Sequence, residues 1–430
     1  MARNAASSSP SRLGLALAGG GPLGAIYEIG ALCALEDSLV GRRLTDFDAF
    51  VGVSAGGFIA AGLANGISAR ELCASFIENT GAAHDIFQPS VMINPAWGEL
   101  AGRLASVPRL VAQAALSYAF GGSRRSWWAV LERLGRALPT GVFSGDRIDE
   151  QLRRQFTQPG RSNDFRTLER KLVLVATDLD SGDSVPFGQP GHDHVPISTA
   201  VQASAALPGL FAPVEIDGRH YVDGALKKSL HASVLLDEGM DLLVCLNPLV
   251  PFDSSRAPHR VLSGRHTRIP RLVDGGLPVV LSQTMRTLIH SRMERGLKAY
   301  GHSHPNATIV LFEPDRRDPQ LFLANTFSYA QRRALAEHAW HQTRQTLRER
   351  RAELDAKWLR HGLHLDPRRL ADPDRRLLTP LPGELPRQHR AGQGLRRLER
   401  VLDELEAVLP RTQPPSDPGM TQSRKVVIVR

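Results

Sequence analysis

The stretch Asp48-Ala49-Phe50-Val51-Gly52-Val53-Ser54-Ala55-Gly56-Gly57 leaves a folding chain few choices. A short apolar run reads as a buried strand, stops at a serine, and passes at once into Phe58-Ile59-Ala60-Ala61-Gly62-Leu63-Ala64, which reads as a helix. Gly52, Ser54 and Gly56 spell G-x-S-x-G, the pattern of a nucleophile elbow. Small residues on either side let strand and helix approach closely, and the serine is pushed to the tip of a strained turn. The helix N-terminus then points at the hydroxyl, so its dipole and free N–H groups favour a developing negative charge. Such a geometry suits acyl transfer. A tight strand-to-helix turn with an idle serine would carry the same five residues.

The flanking sequence narrows the choice. Leu13-Gly14-Leu15-Ala16-Leu17-Ala18 reads as a first buried strand that runs into Gly19-Gly20-Gly21-Pro22-Leu23-Gly24 and a helix over Gly24–Glu36. An N–H-rich turn is thereby expected beside the serine. Strand, glycine loop, helix, strand, elbow and helix follow one another to about residue 66, the alternation of a parallel sheet covered by helices. Further on, Val214 to Asp223 reads as a hairpin with an Asp-Gly turn. It delivers Asp223 to the end of a strand, before Gly224 and Ala225, where it can act as a base.

In these motifs the sequence resembles the patatin-like phospholipases. Gly19 to Gly24 match the family's glycine-rich segment, Gly52 to Gly56 its G-x-S-x-G, and Asp223-Gly224-Ala225 its D-G-A/G box, in the same chain order. Ala203-Ser204-Ala205-Ala206-Leu207-Pro208-Gly209-Leu210-Phe211-Ala212-Pro213-Val214 resembles the segment that leads into that box. The resemblance implies a three-layer α/β/α fold with a mostly parallel central sheet and spans roughly residues 12–330. It also implies a Ser54–Asp223 dyad without histidine, and an oxyanion hole of backbone N–H groups from Gly19, Gly20, Gly21 and Gly24. The elbow glycines Gly52 and Gly56, and Gly224 with Ala225 behind the aspartate, support that site. The substrate implied is a lipid acyl ester, phospholipid or neutral glyceride, and neither a metal nor an organic cofactor is called for. Leu23 is a departure, because the family usually carries Arg or Lys there; the backbone donors do not depend on it.

Other readings of the same residues stay open at this point. His220 and His231 flank Asp223 and could complete a triad, although an odd spacing on a strand turns His220 to the opposite face. Gly19-x-Gly21-x-x-Gly24 between strand and helix also fits a dinucleotide loop, which calls for an acidic residue near the end of a second strand; Asp37 and Asp46 lie nearby. A non-enzymatic lipid-binding or membrane-scaffold protein on the same fold is the third reading.

Around this core the chain is expected to divide into a disordered leader at 1–11, the main domain at 12–330 with a helical cap insertion at about 68–140, a basic helical extension at 331–410 and a disordered tail at 411–430. The cap holds an interrupted apolar run, Leu100 to Leu116, followed by Arg124, Arg125, Trp127 and Trp128, which suits either contact with lipid headgroups or an ordinary core-facing insertion. In the extension, Arg344, Arg348, Arg350 and Arg351 are expected on a solvated face. Leu395, Leu398, Leu402, Leu405 and Leu409 form a narrow apolar stripe there. Lys and Arg outnumber Asp and Glu by 53 to 44, a balance compatible with an anionic membrane surface; no nucleic acid is expected. The three cysteines, Cys33, Cys73 and Cys245, sit in apolar settings without metal-ligand spacing. With neither a secretory leader nor a membrane span in the sequence, a cytoplasmic, peripherally membrane-associated chain is the expectation.

Overall fold

The structure is a computed structural model and describes residues 10–81, 86, 140–255, 261–262, 265–266, 271–322, 324 and 331–378. The described residues as far as Leu377 belong to one compact unit, and Leu378 belongs to another. Most of the expected cap, with its Leu100–Leu116 run and Trp127 and Trp128, lies outside the described residues, as do the Leu395–Leu409 stripe and the tail.

Eight strands build the central sheet: β1 (Leu13–Leu17), β2 (Ala49–Gly52), β3 (Lys171–Asp178), β4 (Ser184–Phe187), β5 (Val214–Ile216), β6 (Arg219–Asp223), β7 (Leu242–Leu246) and β8 (Thr308–Phe312). The order β8-β7-β1-β2-β3 is parallel throughout, as the βαβ alternation requires. On both faces the strands are apolar, which is the mark of a sheet covered on each side. Ala16, Val51, Val173, Cys245 and Leu311 face a layer made by the Ser233–Leu236 helix and Met293 and Leu297 of α4 (Gly276–Ser303). The opposite face carries α1 (Gly21–Ser38), α2 (Ala55–Ala64) and α3 (Ile197–Ser204). The fold is therefore α/β in three layers, with a mostly parallel sheet. Among the described residues, no helix is long and apolar enough to cross a membrane.

Two antiparallel additions decide where the chemistry falls. β4 pairs with β3 along one edge, Leu174 facing Phe187 and Ala176 facing Val185. Leu174 also faces Gly52 of β2, and Ala176 also faces Asp223 of β6. β2 and β6 consequently lie end to end on the other edge of β3, running toward each other. Their C-terminal ends meet head-on at Val53-Ser54 and Asp223. The β5–β6 hairpin that brings Asp223 in turns through Asp217 and Gly218, both with positive φ, as the Asp-Gly pair in the sequence predicts.

α5 (Arg332–Glu349) lies along α1, and Gly30 makes that approach possible: a methyl there would stand 2.5 Å from the Ala336 carbonyl. The expectation of a solvated arginine face on this helix needs correction at Arg344. Its side chain is buried, stacks 4.5 Å from the Trp340 ring, and donates through Nη2 to the Arg369, Leu370 and Asp372 carbonyls. Three carbonyls at the end of a short helix offset the cost of burying the cation. A count of charges along the sequence carries no sign of them.

Candidate active site

The elbow is built from backbone constraints. Val53 N–H donates to the Leu17 carbonyl at 3.2 Å, which ties the end of β2 to the end of β1. Ser54 then takes φ 54° and ψ −125°, a conformation that costs an L-residue on the order of 1–3 kcal/mol. The two elbow glycines leave no room for a side chain: a methyl on Gly52 would come within 2.5 Å of the Gly56 carbonyl, and one on Gly56 within 2.5 Å of the Ala18 carbonyl. Ser54 N–H is held by Ser204 Oγ at 2.8 Å, and Ser204 in turn donates to the Val175 carbonyl at 2.6 Å. Ser204 thus clamps the strained turn to the middle of β3. Sequence reasoning assigned it no role, although it lies in the segment that carries part of the resemblance.

Asp223 is 3% exposed, and Ser54 6%. The Asp223 main chain is fixed by its N–H to the Ala206 carbonyl at 3.0 Å, and its Oδ1 accepts the Ala225 N–H at 2.8 Å. Gly224 is required behind it, because a methyl there would lie 2.2 Å from the Val175 carbonyl. Burial pushes the Asp223 carboxyl up to about 6, against the pull of the Ala225 N–H and of the neighbouring Ser54 side chain. The carboxyl is poised near neutrality beside the serine.

The glycine loop closes the third side. A methyl on Gly19 would sit 3.0 Å from the Ser54 Cβ and 3.7 Å from its Oγ, so the loop passes directly beside the hydroxyl. Gly20 and Gly24 pack against Pro248, and Gly21, at φ 59°, opens α1. Among the described residues, the N–H groups of Gly19, Gly20, Gly21 and Ala55 meet no protein acceptor. Gly24 N–H, by contrast, is engaged by the Gly20 carbonyl at 3.0 Å. Its expected place among the oxyanion donors is corrected accordingly: Gly24 contributes close packing and a satisfied helical turn.

Neither histidine considered as a relay makes a hydrogen bond to Asp223. His220 is exposed on the other face of β6, as its spacing predicts. His231 is buried, with Nε2 at 3.4 Å from the Gly224 carbonyl, and burial holds it down at about 4, so it is neutral. The acids a dinucleotide loop would need are engaged elsewhere: Asp37 accepts from Trp340 Nε1 and Arg375, and Asp46 pairs with Arg43.

Beside the loop lies an open cleft of about 420 Å³ lined by Leu23, Tyr27, Pro248, Phe252, Arg286 and Phe322, among others. Ser54 and Asp223 do not line it. Of the α1 span Ala25–Leu35, Tyr27 alone reaches this cleft; α1 turns the rest into the protein. Glu28, fully buried on α1, is a second feature without a sequence signal. Its carboxyl lies beside the Ala18 amide without making a full hydrogen bond, and burial pushes it well above the usual carboxyl range.

The family model described as patatin-like phospholipase matches residues 15–236. Over 75 residues the chain is 40% identical to the uncharacterized NTE family protein Rv1063c of Mycobacterium tuberculosis, covering 17% of this chain and 19% of that protein. The chain thus matches about a fifth of the length of these curated relatives. Among solved structures, VipD from Legionella pneumophila is 16% identical with a TM-score of 0.33, covering 80% of this chain and 67% of that one. The ExoU–SpcU complex from the type III secretion system of Pseudomonas aeruginosa gives 18% and 0.25, with 82% and 63% covered.

Proposed function

Because the chain belongs to the patatin-like phospholipase family, we propose that it is a lipid acyl hydrolase in which Ser54 is the nucleophile and Asp223 its base. The observation that carries the reading is the head-on meeting of β2 and β6, which sets a strained, clamped serine beside a buried carboxyl.

A free hydroxyl is a weak nucleophile near neutral pH and needs a base within hydrogen-bond reach. As Ser54 Oγ attacks the ester carbonyl carbon, its proton passes to the Asp223 carboxylate and the carbonyl electron pair moves onto oxygen. The unengaged N–H groups of Gly20, Gly21 and Ala55 receive that oxyanion, with Gly19 beside them. Collapse of the tetrahedral adduct breaks the ester C–O bond, and the proton held by Asp223 goes to the departing alcohol. Water, deprotonated by the same carboxylate, then attacks the acyl carbon; the bond to Ser54 Oγ breaks, the proton held by Asp223 returns to Ser54, and the fatty acid is freed. The family supports the substrate class, and beyond substrate and water the steps use groups of this chain.

A fluorophosphonate probe tests the nucleophile without assuming a substrate. The wild type is expected to gain one adduct, mapped by mass spectrometry to Ser54, with labelling slowed at least about tenfold in Asp223→Asn. Labelling at another residue, or none on folded protein, would remove Ser54 from this role.

A further inference from the structure

Helix α4 carries a surface the catalytic reading does not use. Val273 just before it, and Leu277, Val280, Leu281, Met285 and Leu288 along it, are all exposed, Leu277 by 69% and Leu281 and Leu288 by 53% each. On a helix these positions fall on one side, and from Leu277 to Leu288 they run about 16 Å. An apolar stripe of this length on a protein surface marks an interaction site. Beyond Leu288 the same side becomes basic, with exposed Arg292, Arg295 and Lys298, none of which has a carboxylate partner among the described residues.

The inner side of α4 connects the stripe to the site. Gln283 accepts from the Phe252 N–H and donates to its carbonyl, and Arg286 lines the cleft at the glycine loop. From the outer, basic half, Arg292 Nη1 donates at 3.1 Å to the carbonyl of Leu226, three residues after Asp223. The helix therefore forms a rim from the glycine loop to the turn behind Asp223. Exposed Lys228 adds a further cation at that turn.

We infer that the outward face of α4 docks on an anionic lipid bilayer, the apolar half entering the acyl boundary and the basic half meeting headgroup phosphates. An apolar stretch continued by cations without a carboxylate partner among the described residues is complementary to such a surface in both chemistry and order. A second copy of the same face matches these cations poorly, since its acids are Asp274, beside the apolar half and paired with Arg271, and Glu294, which faces His290 and Arg316. The choice of a lipid partner rests on the lipid-hydrolase reading, whereas the docking itself is measurable without catalysis.

The test is flotation of the full chain with vesicles of phosphatidylcholine, with and without phosphatidylglycerol at about three to one. Wild type and Ser54→Ala are expected to float equally with the anionic vesicles. Leu277→Glu/Leu281→Glu/Leu288→Glu is expected to lose at least about a hundredfold in binding. It should keep hydrolysis of a soluble short-chain ester while losing that of vesicle phospholipid. Arg292→Ala/Arg295→Ala/Lys298→Ala should lose about a hundredfold on anionic vesicles and little on neutral ones. The native cysteines are buried, so Leu281→Cys carrying an environment-sensitive dye reports insertion by a blue shift even if the triple variant misfolds. Unchanged flotation of the triple leucine variant, or no dye shift, overturns the inference. So does a wild-type dimer that this variant splits while still binding vesicles. Flotation of an intact face by a protein inactive on every ester would leave the docking standing and the catalytic reading refuted.

Discussion

Ser54 is held where an isolated residue would not stay, and what holds it is countable. The Ser204 hydroxyl accepts its N–H and donates onward to β3, so Ser204→Ala leaves both the elbow amide and the Val175 carbonyl short of a partner. The expected cost is about 1–3 kcal/mol in chemical denaturation, with a drop in kcat of more than about tenfold at unchanged KM. Gly19→Ala probes the loop on the other side. Its methyl, 3.0 Å from both the Ser54 and the Ala225 Cβ atoms, must displace the N–H donors. A loss on the order of 10²–10³ in kcat is expected, as for removal of one oxyanion donor, while folding stays cooperative. Activity like wild type in Gly19→Ala would take the glycine loop out of the mechanism.

At the level of elements, periodicity made the parallel half of the sheet legible. Apolar runs at Leu13–Leu17, Ala49–Gly52 and Leu242–Leu246 have no reading other than strands buried on both faces, and the glycines between them mark the sharp turns. The end-to-end placement of β2 and β6 on one edge of β3 was beyond the same reasoning, because register between distant strands leaves no local trace. Chain order and the resemblance pointed to Asp223; geometry is what brings it to the serine. Packing between helices is equally nonlocal: nothing in the sequence near Gly30 shows that α5 will lie against it. Gly30→Leu is expected to force α5 off α1 and to lower stability by about 3 kcal/mol or more, read as an earlier denaturation midpoint.

Across the whole molecule, two buried carboxyls tie stability to pH. The folded-state pKa values of Asp223 and Glu28 are both raised by burial, so the stability each lends is complete below the ordinary carboxyl range and is lost as pH rises through its folded value. For Asp223 that window runs from 3.8 to about 6. Asp223→Asn should therefore match the wild type at the acid end and exceed it by roughly 3 kcal/mol above the window, seen in denaturation at several pH values. Catalysis has the opposite demand, because only the ionised carboxyl accepts a proton. Activity in kcat/KM is expected to fall about tenfold per pH unit below about 6 and to level off above it. A buried site that functions by carrying charge is thus less stable at the pH where it works best. Neither Glu28 nor the buried Arg344 was visible in the sequence, since burial of a charged side chain depends on what the rest of the fold places over it.

The measurement closest to the central claim is release of acid from short-chain nitrophenyl esters and from phospholipid vesicles by wild type, Ser54→Ala and Asp223→Asn, each confirmed folded. Wild-type hydrolysis is expected, lost by at least about a thousandfold in both variants with their folds intact. Hydrolysis that persists in folded Ser54→Ala, or a wild type inert toward every ester, would contradict it.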